Sequence, residues 1–115
     1  EFAEKYPQKV VQFLKAFEQS IDMYNKDTVG MVKLIATHLS QKEDGVRVAL
    51  EGLYSPMFEE QLAAGKYLGN DGVIAPAMLD TAKFLVTLGE LRASELPADF
   101  RSTINTTYMK RAINK

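Results

Sequence analysis

The chain contains no cysteine. Disulfides, thiolate metal sites and a cysteine nucleophile are thereby excluded, but the compartment stays open, because a cysteine-free protein suits the cytosol and a bacterial periplasm equally. Histidine is nearly absent too. His38 is the single one, with no second imidazole to share a metal and no serine or carboxylate at a spacing diagnostic of catalysis, so a surface or helix-end position is expected for it. No apolar run approaches the ~20 residues of a membrane span, and the amino terminus has no basic region followed by an apolar stretch. The protein is then either cytosolic or targeted by a segment outside this chain. Neither sign of charge dominates: 14 Lys and Arg stand against 15 Asp and Glu, leaving no basic field for nucleic acid and no acidic tail.

What is present is helical patterning. At 115 residues the chain fits one domain, able to bury roughly two-thirds of its unfolded surface. Pro7 suits a first helical turn. After it Val10, Phe13, Leu14, Phe17, Ile21 and Tyr24 recur at three- and four-residue steps, which predicts an amphipathic helix with these residues toward the core. Asp27 or Thr28 can cap a second helix, whose stripe is Met31, Leu34, Ile35 and Leu39 and whose first turn is weakened by Gly30. Ser40 and Glu43 have the spacing of a capping box, predicting a third helix start there. Val46, Ala49, Leu50 and Leu53 form its inner stripe, and Gly52 ends it. No stretch alternates with a strand's period for long enough to argue a sheet; the chain reads as all-α.

The stretch from Leu53 to Leu91 carries the densest punctuation. Ser55 and Pro56 open a short helix with Met57, Phe58 and Leu62 inward. Glu59 and Glu60 invite a catalytic reading, yet adjacent helical residues diverge by about 100°, so the pair cannot flank one reacting bond and is expected as solvated charge. Gly65, Gly69 and Gly72 match neither a dinucleotide-binding nor a P-loop spacing and follow no strand. With Asn70 and Asp71 they are turn chemistry. Pro76 opens the next helix, in which Leu79, Ala82, Leu85, Val86, Phe84 and Leu88 make so broad an apolar surface that burial on more than one side is expected. Gly89 is its C-terminal glycine, with Leu91 placed for the accompanying contact. Thr106 to Ile113 predicts a last short helix, and Asn105-Thr106-Thr107 fits a glycosylation sequon whose use is not expected.

A resemblance runs through these residues. Phe2-Ala3-Glu4-Lys5-Tyr6-Pro7, Phe13-Leu14-Lys15-Ala16, Glu60-Gln61-Leu62, Tyr67-Leu68-Gly69, Gly72-Val73, Thr81-Ala82, Phe84-Leu85, Gly89 and Ile104-Asn105-Thr106-Thr107-Tyr108 together resemble the carboxy-terminal third of the periplasmic solute-binding proteins of ABC importers, in the nitrate, sulfonate and taurine branch. The likeness covers nearly all of the chain and rests on the order and spacing of loose motifs. It departs at Lys26-Asp27-Thr28-Val29-Gly30, where the family commonly has a proline and acidic residues.

The resemblance implies a two-lobed α/β periplasmic-binding-protein (type II) fold of which this chain supplies the carboxy-terminal helices, as a fragment or a separately encoded remnant. It further implies a small anionic or zwitterionic solute held between lobes, delivery to an ABC permease, and a periplasmic or extracytoplasmic location with the signal peptide outside this chain. No enzymatic activity, metal or cofactor is expected of the chain, because neither a nucleophile–base pair nor a metal-ligand cluster is visible in it; the same fold also hosts pyrimidine-forming proteins of the thiamin pathway. The family's solute contacts do not map onto these positions; Tyr54, Glu59 and Gln61 are the candidates for a corner facing the cleft. The alternative is a free-standing helical protein–protein interaction module, self-associating through an exposed apolar face, with the outer side of the helix after Pro76 as the surface for a lobe or a substitute partner.

Overall fold

A computed structural model describes residues 1–114. Among the described residues the regular structure is helical, with no strand: α1 (Phe2–Lys5), α2 (Pro7–Lys26), α3 (Thr28–Leu39), α4 (Glu43–Glu51), α5 (Phe58–Leu62), α6 (Ile74–Thr87) and α7 (Thr107–Ile113), with 3-10 turns at Ala93–Glu95 and Arg101–Thr103. The chain divides into two compact units, Glu1–Met57 and Phe58–Lys115.

In the first unit, α2 follows Pro7 as the spacing predicts, and its end passes directly into α3 through Asp27. The Asp27 carboxylate accepts the Gly30 N–H at 2.9 Å, capping α3. Gly30 is therefore more than a weak helix former: a Cβ there would overlap the Asp27 carboxylate. The core of this unit is small, with Val32 and Ala36 of α3 meeting Val46 of α4, and Tyr24, Ile35 and Leu50 packed around them.

The inner stripe of α2 differs from the expected one. Val11 and Ile21 are buried and Leu14 is half-buried, whereas Phe13 is 69% exposed and Phe17 49%. On α3, Leu34 and Leu39 are likewise exposed while Val32 and Ala36 are inside, and Ala49 of α4 and Leu53 just beyond that helix are exposed too. The helices meet where alanine and valine let backbones approach, and the larger side chains one position along the helix wheel are turned out.

The capping box expected at Ser40 does not form. Ser40 takes the left-handed conformation (φ 53°) at the end of α3. The Gln41 N–H donates to the Ala36 carbonyl at 2.9 Å and the Ser40 N–H to Thr37 at 3.3 Å, the paired bonds of a Schellman motif. Serving the end of one helix, Ser40 cannot cap the next, and Lys42 stands at the N-cap of α4 without a side-chain bond. Gly52 ends α4 as expected, but in the right-handed region.

In the second unit, α5 begins at Phe58, two residues after Pro56, and Phe58 is the most completely buried large side chain, 1% exposed. The glycine stretch folds into a compact loop. The Gly65 N–H donates to Asn70 at 2.7 Å, Leu68 to Gln61 at 2.8 Å and Val73 to Lys66 at 2.7 Å. Gly69 and Gly72 are required because a Cβ at either would collide with backbone carbonyls, of Ala63 and Tyr67 respectively. Asp71, not Gly72, carries the positive φ of the turn, 56°. α6 starts at Ile74, two residues before Pro76, which sits in the first turn where a missing N–H costs nothing. Its end is the predicted one: Gly89 is left-handed (φ 75°), and Glu90 and Gly89 donate to Leu85 and Val86 at 3.0 and 3.1 Å. Ala75 and Ala82 are buried, but Phe84 and Leu88 are exposed. The short helices α5 and α7 pack against each other.

Candidate functional site

The residues proposed to face a cleft are divided between the two units. Tyr54 lies in the first unit, on the irregular segment after Gly52, 70% exposed. Glu59 and Gln61 lie in the second unit on α5. Two positions apart, they point about 200° away from each other around the helix; Glu59 is exposed and Gln61 half-buried, with its carbonyl holding the Leu68 N–H. Glu60, half-buried, likewise diverges from Glu59. His38 is exposed in the last turn of α3. In the sequon, the Asn105 side-chain oxygen accepts the Thr107 N–H at 3.0 Å, fixing the start of α7.

Concavities among the described residues lie elsewhere. In the first unit a groove of about 340 Å³ runs between α2, α3 and α4, walled by Phe17, Ile21, Tyr24, Ile35, Leu50 and Leu53. In the second unit an open apolar groove of about 480 Å³ follows α6, with Ile74, Met78, Leu85, Leu91 and Phe100 along it. Leu91 thus reaches the same surface as Leu85, as the helix-end pattern predicts. A third hollow in that unit, about 450 Å³, is polar and is bordered by the glycine loop with Asn70 and Asp71 on one side and Arg101 and Thr106 on the other.

The chemistry of the polar hollow is mild. Arg101 Nε stands 3.6 Å from Asp99 Oδ2, and the Asp99 carboxylate also accepts the Arg101 N–H at 2.8 Å, so its guanidinium charge is partly met within its own turn. Asp71 adds a carboxylate to the same wall. Both signs being present, the hollow has no strong net field. Among the described residues no three His, Asp or Glu side chains lie close enough to hold a metal ion, and no buried polar or charged residue occurs.

Electrostatic organisation is found on the surface of α4. Arg47 donates to Asp44 Oδ1 at 2.9 Å and Glu51 Oε1 at 3.1 Å. The hydrogen bond that Arg47 donates to Asp44, the charge of Asp44, and then Glu51 raise the guanidinium further above its ordinary value, a helix-surface ion network rather than a reactive group.

The feature that the sequence patterns did not reveal is the extent of apolar exposure. Phe2, Phe13, Val29, Leu34, Leu39, Tyr54, Phe84 and Leu88 are each more than half exposed. Among the described residues no helix is long and apolar enough to cross a membrane. Comparison of the chain with protein-family models, with curated proteins and with solved structures finds no match to any of them.

Proposed function

We propose that this chain is a helical docking element: the carboxy-terminal part of a two-lobed α/β periplasmic-binding-protein (type II) fold, in a solute-binding protein of an ABC importer of the nitrate, sulfonate and taurine type. The observation that carries the docking role is the outer face of α6, where Phe84 is 60% and Leu88 57% exposed beside the groove that Met78, Leu85, Leu91 and Phe100 border. The order and spacing of the family-like motifs supply the rest. In this reading the α/β lobe covers α6, and the whole protein captures a small anionic or zwitterionic solute and hands it to the permease. It works in the periplasm, or anchored outside the membrane of a Gram-positive cell, and the chain contributes packing rather than catalysis. Tyr54, Glu59 and Gln61 are not assigned to the solute.

The test is the gene. A signal peptide and about two hundred codons of alternating strand and helix pattern upstream of Glu1 are expected, enough for the remaining lobes at ordinary domain sizes; a start codon immediately before Glu1 overturns the reading. The isolated chain is expected to show no measurable affinity for taurine, alkanesulfonates or nitrate in titration calorimetry. Tight binding would place a pocket within these residues and contradict the assignment.

A second reading, a free-standing helical interaction module, is favoured by the exposed aromatic side of α2. The two separate on the gene structure and on the mass of the chain in solution.

A further inference from the structure

The groove of the first unit is built on that unit's own core. Tyr24, Ile35 and Leu50 pack on Val32, Ala36 and Val46, and the same three residues wall the groove of about 340 Å³. Buried Ile21 and half-buried Met31 complete the floor. A floor held from behind in this way is already in place before anything enters, so little ordering cost falls on an occupant. Exposed residues form the rim: Phe17 and Ser20 on α2, Leu53 and Ser55 after α4. Serine stands on two sides of the opening, where longer side chains would have closed it.

We infer that this groove is a binding site for a small, neutral aromatic molecule with a single hydrogen-bonding group at the rim. Its size lies at the lower end of the ~300–1,000 Å³ of small-molecule sites. One turn of a helix with its side chains, about 10 Å across and ~5.4 Å long, already displaces about 420 Å³, so the groove is too small for a partner helix. Charge narrows the ligand class. Among the described residues that border it none is Lys, Arg, His, Asp or Glu, and an ionised group entering it would lose hydration without gaining a counter-charge. Phe17 and Tyr24 supply rings and Met31 a thioether, groups that pair favourably with an aromatic occupant. The polar side chains at the border carry hydroxyls, those of Tyr24, Ser20 and Ser55. The Ser20 hydroxyl donates to the Phe17 carbonyl at 2.7 Å, so its oxygen is left to accept from a ligand N–H or O–H.

The polar hollow of the second unit, bordered by Asp71 and Arg101, offers such a molecule two charges it cannot meet. The apolar groove is different in kind, and all of its bordering residues belong to the unit Glu1–Met57. The site does not rest on the importer reading, which concerns an anion held by other residues and a lobe over α6. Either can fail without the other.

The probe is N-phenyl-naphthylamine, a neutral aromatic amine whose fluorescence rises and shifts to the blue in apolar surroundings. Titrated into the full chain it is expected to saturate at one probe per chain, with a Kd near about 0.1 mM for a ligand of its size. NMR should show intermolecular Overhauser contacts from the probe to the methyl groups of Ile21, Ile35 and Leu50. Ser20→Leu, which extends an exposed rim residue across the opening, should weaken binding about tenfold or more while keeping the urea midpoint. Leu34→Glu, at an exposed position that does not border the groove, should leave binding unchanged. Anilinonaphthalene sulfonate, the same framework with a charge, should bind about tenfold or more weakly than the neutral amine. The site is overturned by any of four results: no saturable binding, or an end-point of one probe per two chains; contacts to Met78, Leu85 and Leu91 in place of those to Ile21, Ile35 and Leu50; equal affinity for the sulfonate; or no effect of Ser20→Leu. Should Ser20→Leu lower the urea midpoint, the Overhauser contacts on the native chain decide the question.

Discussion

The Asp27 carboxylate and the Gly30 amide are joined by a 2.9 Å hydrogen bond that exists only because position 30 has no side chain in its way. The cap and the glycine form one device, and their energies are coupled. Asp27→Ala should cost about 1 kcal/mol, the usual worth of a side-chain N-cap. Gly30→Ala in the native background should change stability little, because about 1 kcal/mol of helix propensity is offset by displacement of the carboxylate. In the Asp27→Ala background the same change should stabilise by roughly that amount. A double-mutant cycle in urea measures this, and simple additivity would show that the cap and the glycine are independent.

Two helices end in the same Schellman geometry with different residues at the left-handed position, Ser40 after α3 and Gly89 after α6. Left-handed backbone costs a non-glycine residue about 1 kcal/mol. Ser40→Gly should therefore raise the urea midpoint, by about 0.5–1 kcal/mol, and Gly89→Ala should lower it by about 1 kcal/mol or more. Equal signs for the two would mean that the ends are not the same motif.

The loop between α5 and α6 is set by close backbone approach. Gly69→Ala and Gly72→Ala each aim a methyl at a carbonyl oxygen that belongs to the loop's own frame, so each is expected to cost more than about 2 kcal/mol. Amide exchange should quicken at Gly65, Leu68 and Val73, whose N–H groups close the loop. Gly45 of α4 is the contrast: a Cβ there meets nothing within 4 Å, and Gly45→Ala should stabilise by about 1 kcal/mol.

Phenylalanines should differ sharply by position. Phe58, 1% exposed, is expected to cost about 3–5 kcal/mol when cut to alanine. Phe84, 60% exposed, should cost under about 1 kcal/mol in the isolated chain. In the protein proposed above, with a lobe over α6, Phe84→Ala should become the more costly for assembly. Denaturant midpoints of the isolated variants test the first two expectations, and expression of the whole protein tests the third.

Much of the secondary structure was legible. Pro7, Asp27, Gly52 and Gly89 mark helix ends because their effects are local, acting through a fixed φ, a capping oxygen or a permitted left-handed turn. Ser40 shows the limit of such signals. With Glu43 it has the spacing of a capping box, yet the preceding helix used it first, and a four-residue pattern does not say which of two helices owns a serine. Pro76 and Pro56 mark helix starts only to within a turn: α6 begins two residues before Pro76, and α5 two residues after Pro56. For the candidate site the sequence offers only local cues: Tyr54, Glu59 and Gln61 are polar residues near a turn, helix periodicity alone separates Glu59 from Gln61 on α5, and the division that puts Tyr54 in the first unit is a property of the contacts.

By itself, then, the sequence determined that this protein is helical and roughly where its helices stop. Tertiary structure decided which apolar face went inside. α2 carries two adjacent stripes of nearly equal hydrophobicity, and hydrophobic burial is non-directional, so periodicity cannot choose between them. Close packing can: the helices of the first unit meet at Val32, Ala36 and Val46, where small side chains let backbones come together. That choice left Phe13 and Phe17 exposed.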